Sequence, residues 1–300
     1  EEIDSAIESA VGEVFERISS DLRLSELYLY PIKSAAGIAL DTATLTPTGL
    51  ALDRRYMLVT PSGHFLTQRR FPKMALIEIA ISSTEAAAQL TVRAPGMPEI
   101  SVLPPAQTEP RTEVEVWGDR TSAHTLPTDI NTWFSEFLST PCQLVYMPEN
   151  SDRPTDHGKY GPAEQVSFAD AYPYLLLTTA SLAGLNEKLA AKQVAPVPMN
   201  RFRPNLVISG DLPPHAEDHW QRIRIGSAIF TVAKPCARCS IPNVDQATGD
   251  RTREPSTTLA TYRAWDKEIW FGQNLIQERP ADHSAPLGQL TIGDEVEVLS

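Results

Sequence analysis

The sequence predicts a mixed α/β fold rich in β-structure. Short alternating strands fill the stretch from Leu24 to Val116, further strands recur from Tyr174 to the C-terminus, and helical periodicity is confined to a few segments between them. At 300 residues and 42% hydrophobic content the chain can bury a large core, near the size at which one core gives way to two. Residues 1–20 read as an amphipathic helix or extension, residues 21–149 as one domain and residues 150–300 as a second.

Each element has its own signal. Ile3, Ile7, Val11, Val14 and Ile18 fall on one helical stripe. Leu27–Tyr30, Tyr56–Val59 and Leu76–Ile81 are expected strands, separated by turns such as Pro47-Thr48-Gly49 and Pro61-Ser62-Gly63. The Pro-rich passage Pro95–Pro110 reads as loops, and the strand Val114–Trp117 precedes a Gly-Asp turn. Thr128–Leu138 is an expected helix with Ile130, Trp133, Phe134 and Phe137 on one face, followed by the strand Gln143–Met147 with Cys142, a packing residue, at its mouth. Asn150–Gly161 is polar and turn-rich, suiting a linker or a loop over a site. Beyond it come the strand Tyr174–Leu177 and a helix from Ala180 to about Ala191, capped by Thr179, with Leu182, Leu185 and Leu189 inward. Asn205–Ser209, Ile223–Ile225, Ala228–Ala233 and Glu295–Leu299 are further strands.

Composition excludes several functions. With 26 basic against 38 acidic side chains the net charge is −12, which argues against a general nucleic-acid or anionic-membrane surface. No run approaches the roughly 18 apolar residues of a membrane helix, and the N-terminus lacks a signal-peptide layout. Three cysteines cannot build a disulfide framework, so a reducing compartment, the cytoplasm, is expected. No Gly-x-Ser-x-Gly and no Gly-rich phosphate loop occurs.

Chemistry concentrates at Pro235-Cys236-Ala237-Arg238-Cys239. Thiolates are soft metal ligands, and Arg238 and Lys234 place positive charge beside the sulfurs. The spacing alone leaves structural zinc, a dithiol redox pair and coincidence open. Zinc would draw on His215 and His219, spaced as H-x3-H, with Cys236 and Cys239. A redox pair needs a helix opening at the first cysteine, which Pro242 disfavours, and an Fe–S cluster needs about four cysteines. Basic residues recur in the settings Pro31-Ile32-Lys33-Ser34, Asp53-Arg54-Arg55-Tyr56, Thr67-Gln68-Arg69 and Arg201-Phe202-Arg203-Pro204-Asn205. Brought together, they would clamp a phosphorylated ligand.

These segments, with Gly49–Arg54, Ala216-Glu217-Asp218-His219-Trp220, Val244-Asp245, Thr248-Gly249 and Phe271-Gly272-Gln273, resemble the MOSC-domain proteins. The resemblance is to the branch with an N-terminal MOSC β-barrel domain, which includes the mitochondrial amidoxime-reducing component and bacterial YcbX-like proteins, and it covers Leu24 to Ser300. It implies an N-terminal MOSC β-barrel domain over 21–149 and a C-terminal MOSC β-barrel domain with peripheral helices over 150–300, sharing a molybdenum cofactor between them. By motif, Cys239 is the implied molybdenum ligand, and Lys33, Ser34, Arg54, Arg203, Asn205 and Arg238 are implied cofactor contacts. In the family's aromatic-x-Asp-x-x-Pro loop, here Phe168–Pro173, Ala171 and Tyr172 stand where the amidoxime reducers carry hydroxyl residues, and Asp170 is a candidate proton donor, substrate-orienting carboxylate or helix cap. Ala237 replaces the usual Ser, leaving its backbone N–H, and Asn274 replaces the aromatic residue after Phe-Gly-Gln. His219 falls at a variable position of this pattern, which weakens zinc. The implied activity is reduction of N-hydroxylated compounds such as amidoximes and N-hydroxylated bases. With neither a ferredoxin module nor a membrane anchor in the sequence, electrons are expected from a separate ferredoxin, flavoprotein or cytochrome b5 type protein. The alternative is a cofactor carrier or sulfur-transfer protein using Cys239.

Overall fold

The computed structural model describes residues 22–83, 88–159, 164–280 and 286–300. The stripe expected over residues 1–20 lies outside them. The largest sheet runs, in spatial order, Val296–Val298, Arg222–Ile225, Ala228–Ala237, Glu268–Gln277, Tyr174–Thr178, Leu206–Ser209, Arg23–Leu29 and Ile38–Ala39, with Ala264–Trp265 paired to Glu268–Gln277. Tyr174–Thr178 and Leu206–Ser209 are parallel, so a crossover must join them, and the helix Thr179–Ala191 lies within it. A four-stranded antiparallel sheet of Tyr56–Val59, Gln143–Tyr146, Asp119–Thr125 and Arg111–Val116 forms the centre of the first half.

The two halves of the sequence interleave. Arg23–Leu29 hydrogen-bonds to Leu206–Ser209, and Gln289–Thr291 pairs with Thr42–Thr46. One apolar core therefore draws Leu27, Leu29, Ala43 and Leu45 from the first half together with Leu176, Leu206, Phe230, Leu275 and Leu290 from the second. A separate core lies where the helix Thr128–Leu138 lays Ile130, Trp133, Phe134 and Phe137 against Tyr56, Leu58 and Leu144. That helix keeps its expected bounds because the apolar residues repeat at helical spacing, and Ser139 ends it in the left-handed region. Cys142 is buried beside Ser135, as its packing role anticipates.

Four local expectations need correction. The helix Thr179–Ala191 is capped by Thr178, not Thr179, because Thr178 is the residue with extended backbone and its hydroxyl accepts the Ser181 N–H. Leu76–Ile81 is strand only over Glu78–Ile81, since Pro72 starts a 3₁₀ turn that runs to Leu76. Within Pro95–Pro110, Ile100–Val102 pairs with Leu90–Arg93 instead of remaining loop. The strand expected to stop at Ala233 continues to Ala237 and carries Cys236 with it, held by pairing to Glu268–Gln277 through two irregularities.

Candidate functional site

Lys33 and Ser34 lie in the turn after the strand Arg23–Leu29, and Arg54 in the turn after Gly49–Leu50. The backbone ties the two turns together: Lys33 N donates to Tyr56 O at 2.8 Å and Arg54 N to Tyr30 O at 2.8 Å. Phe168 N donates to Arg54 O at 3.0 Å, which brings up the loop carrying Asp170, Ala171 and Tyr172. Arg203 and Asn205 lead into the strand Leu206–Ser209, and Ala237, Arg238, Cys239 and Asn274 come from the paired strands opposite. These twelve residues, the candidates that the family resemblance implied, line one cleft enclosing about 800 Å³, its open mouth included. Four cations, Lys33, Arg54, Arg203 and Arg238, face one carboxylate, Asp170. In a protein of net charge −12 this is a local reversal of sign.

Ser34, Arg54 and Arg203 hold φ of 67°, 48° and 56°, a backbone region that costs an L-residue about 1–3 kcal/mol. The surrounding bonds enforce it. Arg54 Nη1 donates to Asp53 Oδ2 at 2.5 Å and to Asn205 Oδ1 at 3.0 Å, while Asp53 Oδ1 accepts Tyr30 N. Asn205 is 1% exposed, and its amide also accepts Leu175 N and donates to Tyr28 O. Its side chain is thus a brace for Arg54. The Arg54 and Arg203 guanidinium carbons lie 4.4 and 4.3 Å from the Tyr30 ring centroid. Burial pushes the Tyr30 phenol up to about 12, against the neighbouring guanidiniums, so it is neutral near pH 7. Burial pulls Arg203 down to about 10, which leaves it charged.

The Lys33 ammonium donates to Phe168 O at 2.7 Å and to Asp170 Oδ1 at 2.5 Å, and the Trp117 indole N–H donates to the same Oδ1 at 2.9 Å. Burial lowers the Lys33 pKa, against the opposing pull of Asp170. For Asp170, partial desolvation by the cleft walls would raise the pKa, but the Lys33 charge and the bonds from Lys33 and Trp117 hold it well below the usual carboxylate range. Its side chain, 61% exposed, opens into the cleft, where water weakens the pairing. The strand Tyr174–Thr178 separates Asp170 from the next helix, Thr179–Ala191, which Thr178 caps, so the helix-cap reading falls.

At the cysteine segment Arg238 Nη1 donates to Cys236 Sγ at 3.1 Å and Nη2 to Phe202 O at 2.8 Å. The expected positive charge thus reaches the first sulfur, whereas Cys239 Sγ accepts the Ile241 N–H at 3.5 Å. Both thiols are half-buried and line the cleft. Among the described residues no three His, Cys, Asp or Glu side chains gather as a metal cluster, so His215, His219, Cys236 and Cys239 do not assemble a zinc site. His215 instead packs on Tyr262 and Phe271, where burial pulls its pKa down to about 4.

A pterin dithiolene phosphate carrying molybdenum suits these donors. The cleft offers cations for the phosphate and a half-buried thiol for the metal, and two buried donors at it, Arg203 Nη2 and Arg238 Nε, have no hydrogen-bond partner in the protein.

Two contributors escaped the sequence reading. Trp117 sits with Gly118 in a two-residue turn, both with positive φ, between Val116 and Asp119, and this geometry throws the indole over Asp170. The sequence holds only a weak hint, an aromatic residue before Gly-Asp. Arg153 lies in the supposed linker, yet it is 2% exposed and its guanidinium donates to the carbonyls of Ser167, Ala169 and Asp170. Around Arg153 the segment is therefore a pinned strap under the Asp170 loop.

Profiles for the MOSC N-terminal beta barrel domain and the MOSC domain match residues 21–141 and 163–297. The chain is 34% identical over 269 residues to a molybdenum cofactor sulfurase of Oryza sativa subsp. japonica, covering 84% of this chain and 32% of that protein. It is 32% identical over 295 residues to mitochondrial amidoxime-reducing component 1 of Mus musculus, covering 92% of this chain and 82% of that protein. The Homo sapiens protein of the same name is 31% identical over 297 residues, with 92% and 82% covered. The chain spans about a third of the length of the sulfurases it matches. Among the described residues no helix is long and apolar enough to cross a membrane.

Proposed function

The chain belongs to the MOSC-domain proteins with an N-terminal MOSC β-barrel domain, and from that premise we propose that it is a molybdenum-cofactor-dependent reductase of N-hydroxylated compounds. The observation that carries this reading is the cleft itself, in which four cations and the Cys239 thiol face one another across both halves of the chain. In the net reaction the N–O bond breaks, two electrons from a separate donor protein and two protons are consumed, and the oxygen leaves as water. When bound, the cofactor supplies the two-electron chemistry.

The chain's own residues bind and orient. Lys33, Arg54, Arg203 and Arg238 hold the anionic cofactor, Asn205 braces Arg54, and Cys239 ligates the metal. Ser34, Ala171, Tyr172, Ala237 and Asn274 shape the wall. Asp170, held ionised by Lys33 and Trp117, accepts hydrogen bonds and orients the substrate. Of its candidate roles, proton donor is the one this environment opposes. Burial makes Lys33 more acidic than an ordinary lysine, and its bond to Asp170 keeps that carboxylate in place.

The similarity to molybdenum cofactor sulfurases supports a second reading, a cofactor carrier or sulfur-transfer protein using Cys239. Metal analysis and an amidoxime assay with a chemical reductant separate the two. The reductase retains molybdenum and turns over, whereas a carrier exchanges cofactor without turnover. Cys239→Ala is expected to lose molybdenum and activity while Cys236→Ala keeps both. Full activity in Cys239→Ala, or zinc at one per chain with no molybdenum, would overturn the assignment.

A further inference from the structure

Residues 67–76 and 243–254 pack together beside the cleft. Arg251 Nη2 donates to Gln68 O at 3.1 Å and to Arg69 O, and a Cβ on Gly249 would lie 3.6 Å from Pro72 O. Gln68 Nε2 in turn donates to Ser34 O at 2.8 Å, and Ser34 and Thr67 both line the cleft, so this surface reaches its rim.

Five cations come together on it, Arg69, Arg70, Lys73, Arg251 and Arg253, and all but Arg69 are exposed. Among the described residues none of the five has a carboxylate partner. Arg251 spends its bonds on carbonyls and Arg69 lies over the Trp117 ring, contacts that leave both charges in place. The same two segments hold three carboxylates, Asp245, Asp250 and Glu254. Asp245 is already held by Arg201 at 2.7 Å, which leaves two to face the five cations. In a chain of net charge −12 this is a cationic face. The exposed large hydrophobics Leu103, Trp265 and Ile292 lie in other segments.

We propose that this face is the docking surface for the electron donor, and that the donor is an acidic single-electron carrier protein. The inference rests on the reductase reading, which requires two electrons from outside the chain, and deepens it by giving the donor's charge and landing place. A carrier that must deliver an electron and leave is served by a small, charged contact with fast, steered encounter, whereas a large apolar interface would slow its departure. The cationic face attracts an acidic surface and sets it at the cleft rim. Each encounter oxidises one reduced carrier by one electron, so two encounters supply one N–O cleavage.

The test measures binding and turnover separately. Plant-type ferredoxin, an acidic iron–sulfur carrier, is expected to bind the purified protein at low ionic strength and to be released near 1 M salt, where the screening length falls to about 3 Å. Cytochrome c, a basic carrier, should not bind. Arg70→Glu and Lys73→Glu should each weaken ferredoxin about fivefold and slow ferredoxin-driven turnover, while turnover with a chemical reductant stays unchanged. Arg224→Glu, an equal charge change in the strand Arg222–Ile225, should alter neither. Ferredoxin affinity unmoved by the reversals at Arg70 and Lys73, or matched by cytochrome c or by phosphatidylserine vesicles, would overturn the docking face. Turnover with the chemical reductant tests the reductase reading by itself, so the two failures are told apart.

Discussion

Lys33 and Trp117 both donate to one oxygen of Asp170 and hold its carboxyl below the usual carboxylate range, and the two donors come from distant parts of the chain. Trp117→Phe removes one N–H and keeps the ring. The Asp170 carboxyl should then titrate at higher pH than in the wild type, yet still below an ordinary aspartate because Lys33 remains, as read by ¹³C NMR of the side-chain carboxyl. Glu217 shows the opposite case. It is fully buried, one oxygen accepts from Thr178 and Ser181, the other has no partner, and burial raises its pKa against those bonds. The unfolded chain therefore ionises this carboxyl from about pH 4.5 upward while the folded chain resists, so Glu217 draws stability down as pH rises through that value. Glu217→Gln should flatten this part of the Tm-against-pH curve, with its largest relative gain on the alkaline side. A parallel curve would show that Glu217 does not set the slope.

Among the elements, the strand Glu268–Gln277 does most to fix the site, because it pairs with the cysteine-bearing strand on one side and with Tyr174–Thr178 on the other. Gly272 lets it lie so close: its φ is +83°, and a Cβ there would meet Leu177 Cδ1 at 2.7 Å and Leu176 O at 2.9 Å. Gly272→Ala should cost upward of about 1 kcal/mol. It should also displace Asn274, two residues along, which denaturant unfolding and the crystal structure of the variant would show. The Thr178 cap belongs to the same scale. A strand end doubles as a helix start, so the boundary expected at Thr179 moved by one residue.

For the molecule as a whole, the pairing of Arg23–Leu29 with Leu206–Ser209 and of Thr42–Thr46 with Gln289–Thr291 makes the halves mutually dependent. Fragments 21–149 and 150–300 made separately are expected to give poorly dispersed amide spectra, the second worse for losing a strand from inside its main sheet. A well-folded, cooperatively melting 150–300 fragment would contradict this. The same interleaving assembles the cleft, since Lys33 and Arg54 come from one half and Arg203 and Cys239 from the other.

The sequence by itself determined the β-rich class, the helix Thr128–Leu138, the cysteine segment and the basic motifs, because periodicity and short motifs are local properties of neighbouring residues. Only the tertiary structure decided that Lys33 meets Asp170, 137 residues away, and that Trp117 meets it from 53 residues away. Likewise only the fold turned a polar stretch into a strap through the buried Arg153. Burial, charge pairing and cavity shape depend on which distant segments pack together, and no spacing along the chain encodes that directly.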